Sequence, residues 1–155
     1  CHVQLVDVDA DKAAIAERLG VGFAPPEQAE GARDLVIHAS GSPAGLAMAL
    51  GLAGFEATVV EASWFGAQSV SLPLGEDFHA KRLRIRSSQV GHVAAAQRAR
   101  WDHRRRMATV MDLLGDPVLD TLISGESPFA ELPRVMAELS RNPRGVLCHR
   151  IAYAG

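Results

Sequence analysis

Three short runs of small and acidic residues carry the chemistry this sequence can offer. They are Asp7 after Val3-Gln4-Leu5-Val6, Ser40-Gly41-Ser42-Pro43 after the run that starts at Asp34, and Glu61-Ala62-Ser63 after Ala57-Thr58-Val59-Val60. Each follows an apolar run of the length a buried strand needs. In open α/β sheets, ligands bind at the carboxyl ends of the strands. A carboxylate at Asp7 could accept hydrogen bonds from both hydroxyls of a ribose and would repel a 2′-phosphate. Small residues at Ser40 and Gly41 would let a ligand approach the backbone. Each run also has a plainer reading: Asp7 as a cap or turn residue, Ser40 to Pro43 as a strand-to-helix turn, Glu61 as a surface carboxylate. Asp9 and Asp11 read as caps and surface charge. His38, His79, His92 and His103 have no partners at metal-ligand spacing, so no metal site is expected in this chain.

The elements that must position these residues follow from periodicity. Val3 to Val6 reads as a strand ending at Asp7, followed by a helix capped by Asp9, with Ile15 and Leu19 on one face and Gly20 closing it. Val21 to Ala24 is a second short strand, broken by Pro25-Pro26-Glu27. Asp34 to Ser40 is nearly all apolar, as in a parallel strand covered on both faces. Ser42 is an N-cap and Pro43 suits the first helical position; Leu46, Leu50 and Ala53 form that helix's apolar stripe. Glu56 to Glu61 is another buried strand. This alternation predicts a parallel α/β sheet.

After Gly66 the rhythm changes. Ser69-Val70-Ser71-Leu72 alternates like a half-exposed edge strand limited by Pro73. Asp77 to Arg84 suggests a short helix, and Leu83 to Ser87 alternates again. A long helix is predicted from about Ala94 to Leu114, with Met107, Val110, Met111 and Leu114 as its core stripe and the Arg98–Arg106 run on its wet face. Ser127-Pro128 is read as opening another helix, carrying Leu132, Val135, Met136 and Leu139. Gly145 to Tyr153 reads as a final strand.

The bulk numbers set limits. The 155 residues suit one domain or parts of two, and 48% apolar with 22% charged residues permits a sizeable core. No run is long and apolar enough to span a membrane. No signal peptide is recognisable, and two cysteines, Cys1 and Cys148, fit a reducing cytoplasm better than a disulfide scaffold. Residues 1–77 hold 3 Lys/Arg against 11 Asp/Glu, whereas residues 78–155 hold 13 against 7. The basic residues are interleaved with acids and apolar positions, so two structural units explain the split better than nucleic-acid binding. No G-x-G-x-x-G loop precedes Asp7. The chain reads as starting just before the second strand of a doubly wound sheet, and the natural protein is expected to supply the first strand and its glycine-rich turn upstream.

The order of these motifs resembles a known family. Leu5-Val6-Asp7-Val8-Asp9-Ala10-Asp11-Lys12, the strand Asp34–Ser40 with Gly41-Ser42-Pro43, and the strand Thr58–Ser63 look like the coenzyme domain of medium-chain dehydrogenases/reductases of the zinc alcohol dehydrogenase type. The likeness continues through Arg84-Ile85-Arg86-Ser87-Ser88-Gln89-Val90-Gly91 to Cys148-His149-Arg150-Ile151. It covers essentially the whole chain.

The resemblance implies an α/β, Rossmann-like doubly wound parallel sheet, incomplete because its first βα unit is missing, followed by a C-terminal mixed α+β segment. The implied division is a partial dinucleotide-binding domain over 1–87 and a segment over 88–155 that packs on the catalytic domain. It further implies NAD(H), favoured over NADP(H), with Asp7 on the adenosine ribose and Lys12 beside it. Ser40 and Gly41 would line the path from adenosine to nicotinamide. Glu61, Ala62 and Ser63 would lie near the nicotinamide, and Ser88, Gln89 and Val90 would offer backbone groups to its carboxamide. His149 or Arg150 would approach the pyrophosphate. Zinc is implied only for a catalytic domain upstream, and a homodimer joined along 69–74 is implied by the edge run. A small alcohol or carbonyl compound would be the substrate, in a cytoplasmic enzyme without nucleic-acid or membrane partners. Rival readings are a zinc-free reductase of the same superfamily, an S-adenosylmethionine-dependent methyltransferase, and a regulatory domain without chemistry.

Overall fold

The computed structural model describes residues 1–153, and the chain divides into two compact units. One comprises Cys1–Glu27 with the chain from Asp102 onward; the other is Gln28–Trp101.

In the second unit, β3 (Arg33–His38), β4 (Ala53–Glu61) and β5 (Arg84–Ser87) form a three-stranded parallel sheet in that order. The connection between β3 and β4 is α2 (Pro43–Leu52). Its start is dictated locally: Ser42 sits in the extended conformation, its hydroxyl accepts the Gly45 N–H, and Pro43 occupies the first turn. Leu46, Ala49, Leu50, Ala53, Ala57, Val59 and Leu83 form the core between helix and sheet. Leu50 is 1% exposed. Leu50→Ala should therefore cost about 2–5 kcal/mol, the range for a truncated core leucine, read as a lower denaturant midpoint in equilibrium unfolding.

The first unit begins with β1 (Gln4–Val6), which pairs in parallel with β2 (Gly22–Ala24) across α1 (Ala13–Arg18). Asp9 caps the 3-10 turn that leads into α1, accepting the Asp11 N–H. Further on lie α4 (His103–Leu114), β6 (Ile123–Pro128), α5 (Leu132–Arg141) and β7 (Cys148–Ala152); β6 and β7 pair in parallel.

Several expectations need correction. Asp34–Ser40 is not covered on both faces: β3 is an edge strand, and Leu35 and Ile37 are 55% and 64% exposed. Ser69–Leu72 is not a strand, because no neighbouring strand pairs its backbone; Val70 and Leu72 instead pack against the core of the second unit. The long helix starts at His103, not Ala94, because Asp102 adopts an extended conformation and caps it, its side chain accepting the Arg105 N–H. Only the last part of the Arg98–Arg106 run is thus on that helix. The stripe Met107, Val110, Met111 and Leu114 is exposed rather than core. Ser127-Pro128 ends a strand instead of opening a helix, and α5 starts at Leu132. The short helix at Asp77, α3 (Asp77–Ala80), stops at Ala80 rather than running on to Arg84.

Candidate functional site

The carboxyl ends of β3 and β4 meet in one hydrogen-bonded group. The parallel register sets His38 directly beside Glu61. Backbone bonds fix the two strand ends to each other and to β5: Ala62 N–H donates to the His38 carbonyl and Ser88 N–H to the Glu61 carbonyl, both at 2.8 Å.

The side chains complete the arrangement. His38 Nδ1 lies 2.6 Å from Glu61 Oε2, and its Nε2 lies 2.7 Å from Ser40 Oγ. Glu61 Oε1 accepts the Ser63 N–H at 2.6 Å. Ser63 Oγ accepts the Gly41 N–H at 2.9 Å and stands 3.3 Å from His38 Nδ1. Ser40 Oγ accepts the Ser42 N–H at 3.2 Å. The imidazole is 5% exposed and lies nearly parallel to the Phe65 ring, whereas Ser40, Gly41 and Ala62 are open to solvent.

Two glycines are needed here. Gly41 has φ +66°, a conformation that strains any residue with a side chain. Gly45, in the first turn of α2, packs against the network: a Cβ there would stand 2.6 Å from Ser40 Oγ and 2.9 Å from His38 Nε2.

Burial works against the Glu61 carboxylate, but hydrogen bonds from His38 and Ser63 outweigh it and hold its pKa below the ordinary value. A carboxyl whose folded pKa is depressed stabilises the fold above its unfolded value, and that stability is lost as pH falls through the folded one. Unfolding free energy should therefore drop on acidification through and below the normal carboxylate range. Glu61→Gln should flatten that drop, which denaturant titrations across pH would show.

Outside this group, Asp7 follows β1, and its Oδ1 accepts the Asp9 N–H at 2.9 Å. Lys12 pairs with Asp9 at 3.6 Å rather than with Asp7. The Ser88 N–H is already taken by Glu61, while Val90 is 80% exposed. His149 Nε2 is 3.0 Å from Ser127 Oγ, and Arg150 is paired with Glu126, both across the β6–β7 ladder.

His38 is the residue that sequence reasoning missed. The available signals were a histidine closing the apolar run Leu35-Val36-Ile37 and its position two before Ser40, which puts both on one face. Among the described residues no cluster of three or more His, Cys, Asp or Glu side chains could hold a metal ion. The zinc implied by the resemblance has no ligand set in the described part of this chain.

Exposed small residues at adjacent parallel strand ends, Ser40, Gly41 and Ala62, form the kind of edge at which α/β sheets take ligands. No family model matches the sequence, and no curated protein matches it. Solved structures do. L-idonate 5-dehydrogenase from Escherichia coli superposes with a TM-score of 0.76 at 16% identity, over 98% of this chain and 43% of that one. This chain has the fold of the corresponding part of that dehydrogenase. The alcohol dehydrogenase TADH from Thermus sp. ATN1 gives 0.72 at 22% identity, over 99% and 44%. A short chain alcohol dehydrogenase from Escherichia coli CFT073, solved with NADH, gives 0.71 at 17%, over 96% and 43%. The dehydrogenase fold thus extends over nearly the whole of this chain, which spans less than half the length of each of these structures.

Proposed function

We propose that this chain is the coenzyme-binding part, with a segment returning to the catalytic domain, of a nicotinamide-dependent, zinc-type alcohol dehydrogenase. The carrying observation is the group at the ends of β3 and β4, in a fold shared with dehydrogenases of which one was solved with NADH. Coenzyme binding falls to residues 1–87 in this reading, and 88–155 belong with the catalytic domain.

Dinucleotide chemistry fits the residues present. Asp7 retains acceptor capacity beyond the single Asp9 N–H, as a ribose ligand requires. Ser40, Gly41, Ala62 and Ser63 would line the coenzyme, with Glu61 holding the Ser63 backbone. Lys12 would screen the acidic turn rather than grip the ribose, since it pairs with Asp9. Ser88, Gln89 and Val90 would meet the carboxamide through groups other than the Ser88 N–H. The coenzyme supplies hydride transfer to or from an alcohol or carbonyl carbon; the chain's residues bind and aim it. The exposed apolar faces at Leu35–Ile37 and Met107–Leu114 would be covered in the whole protein. A cytoplasmic location accords with this reading, and no helix among the described residues is long and apolar enough to cross a membrane.

The test is to incubate the whole protein with NAD+ and a panel of primary, secondary and polyol substrates. Appearance of NADH with any of them supports the proposal; a protein that binds S-adenosylmethionine and not NAD+ refutes it.

A homodimer along 69–74 is part of the proposal. The run lies outside every strand pairing among the described residues, so a two-fold copy could use its backbone groups. Val70→Pro is expected to halve the mass of the whole protein in light scattering, and an unchanged dimer mass would place the interface elsewhere.

A further inference from the structure

The proton inventory of the strand-end network determines which ligand groups it can meet. Glu61 presents both oxygens as acceptors, one to the Ser63 N–H and one to His38 Nδ1. The proton between Glu61 and His38 therefore sits on Nδ1, and in the neutral ring Nε2 carries a lone pair. Ser40 Oγ, 2.7 Å from that nitrogen, must then donate its only proton to it. A serine hydroxyl has one proton and two lone pairs. One lone pair is filled by the Ser42 N–H. What remains on the hydroxyl of Ser40, an exposed residue, is a single acceptor lone pair.

We propose that the His38–Glu61 pair is a positioning and specificity device that fixes Ser40 as a hydrogen-bond acceptor, so this strand end selects a ligand hydroxyl, such as a sugar O–H, over an anionic phosphate oxygen. This rests on the dinucleotide reading for the identity of the ligand, a ribose hydroxyl, but not for the polarity of Ser40. The packing supports a fixed ring. Neither ring nitrogen has an alternative partner closer than its present one, Phe65 lies along the ring, and Gly45 closes over the Nε2–Oγ bond. Replacing the carboxylate by an amide inverts the logic. The amide NH2 introduced by Glu61→Gln can donate to Nδ1, which moves the ring proton to Nε2, turns Nε2–H toward Ser40, and frees the serine proton to point outward.

The experiment uses the whole protein at neutral pH with nitrogen-15-labelled histidine. The unsubstituted protein should show His38 as the Nδ1–H tautomer, and Glu61→Gln should move it to Nε2–H. Ser40→Ala and Glu61→Gln should each weaken NADH binding about three- to tenfold, the scale of one net hydrogen bond. The double variant should be no weaker than the worse single one, because both remove the same acceptor. A merely structural Glu61 would leave the two effects additive. A proton on Nε2 in the unsubstituted protein, in a neutral or doubly protonated ring, overturns the proposal without reference to any variant, as does additivity. Failure of the unsubstituted protein to bind NADH would instead overturn the dinucleotide reading, and the tautomer measurement would still decide the polarity of Ser40.

Discussion

Asp7→Ser in the whole protein is expected to weaken NADH binding about ten- to hundredfold, while NADPH binding holds or improves. Hydrogen bonds to a charged acceptor contribute about 1.5–3 kcal/mol; Asp7 would accept two from the adenosine ribose, and the serine hydroxyl that replaces it can still make one, so the expected loss is that of one bond. The same carboxylate repels a 2′-phosphate, so its removal relieves NADPH of a penalty as it deprives NADH of a partner. The geometry is compatible: Asp7 directly follows β1, anchored by its N–H to the Ala24 carbonyl at 3.4 Å, and its carboxylate accepts from the Asp9 N–H. The check is calorimetric titration of both coenzymes into both proteins. Equal affinities for the two coenzymes in the unsubstituted protein would remove Asp7 from the ribose site.

Gly45→Ala should have the opposite sign to the usual helix substitution. Alanine normally stabilises a helix interior by about 1 kcal/mol over glycine. At Gly51, also in α2, a Cβ meets nothing within 4 Å, and that gain should be seen. At Gly45 the Cβ would collide with Ser40 Oγ and His38 Nε2. Overpacking of this kind costs about 1–3 kcal/mol, and the His38–Ser40 bond must open. Thermal unfolding of the two variants gives the comparison: Gly51→Ala raised, Gly45→Ala lowered. NADH binding should fall with Gly45→Ala alone. A Gly45→Ala protein as stable as Gly51→Ala would mean the helix start yields easily and the network is not tightly held.

How much was readable from the sequence follows from how local each signal is. The start of α2 was legible because Ser42, Pro43 and the Leu46–Leu50 spacing act within one or two turns, and the N-cap bond to Gly45 is there. Ser40, Gly41, Glu61 and Ser63 were legible as strand-end residues, because an apolar run followed by small or acidic residues marks the end of a buried strand. Their grouping around His38 was not. It depends on the register between β3 and β4, which lie 23 residues apart at His38 and Glu61 and are aligned by packing under α2. β6 was hidden because Gly125 and Ser127-Pro128 interrupt any strand pattern, and its ladder with β7 is formed by residues far along the chain. The start of α4 was misplaced because Ala94–Gln97 has strong helix formers, whereas the extended backbone at Asp102 resets the helix. The Met107–Leu114 stripe has helical period, but period alone does not say what covers it.

That the carboxyl ends of β3 and β4 form a coenzyme-binding edge is tested most directly by a crystal structure of the whole protein grown with NADH. The dinucleotide should lie over those strand ends, in contact with Ser40, Gly41 and Ser63, with a coenzyme hydroxyl donating to Ser40 Oγ. NADH bound away from these residues, or a phosphate oxygen accepting a proton from Ser40, would contradict it.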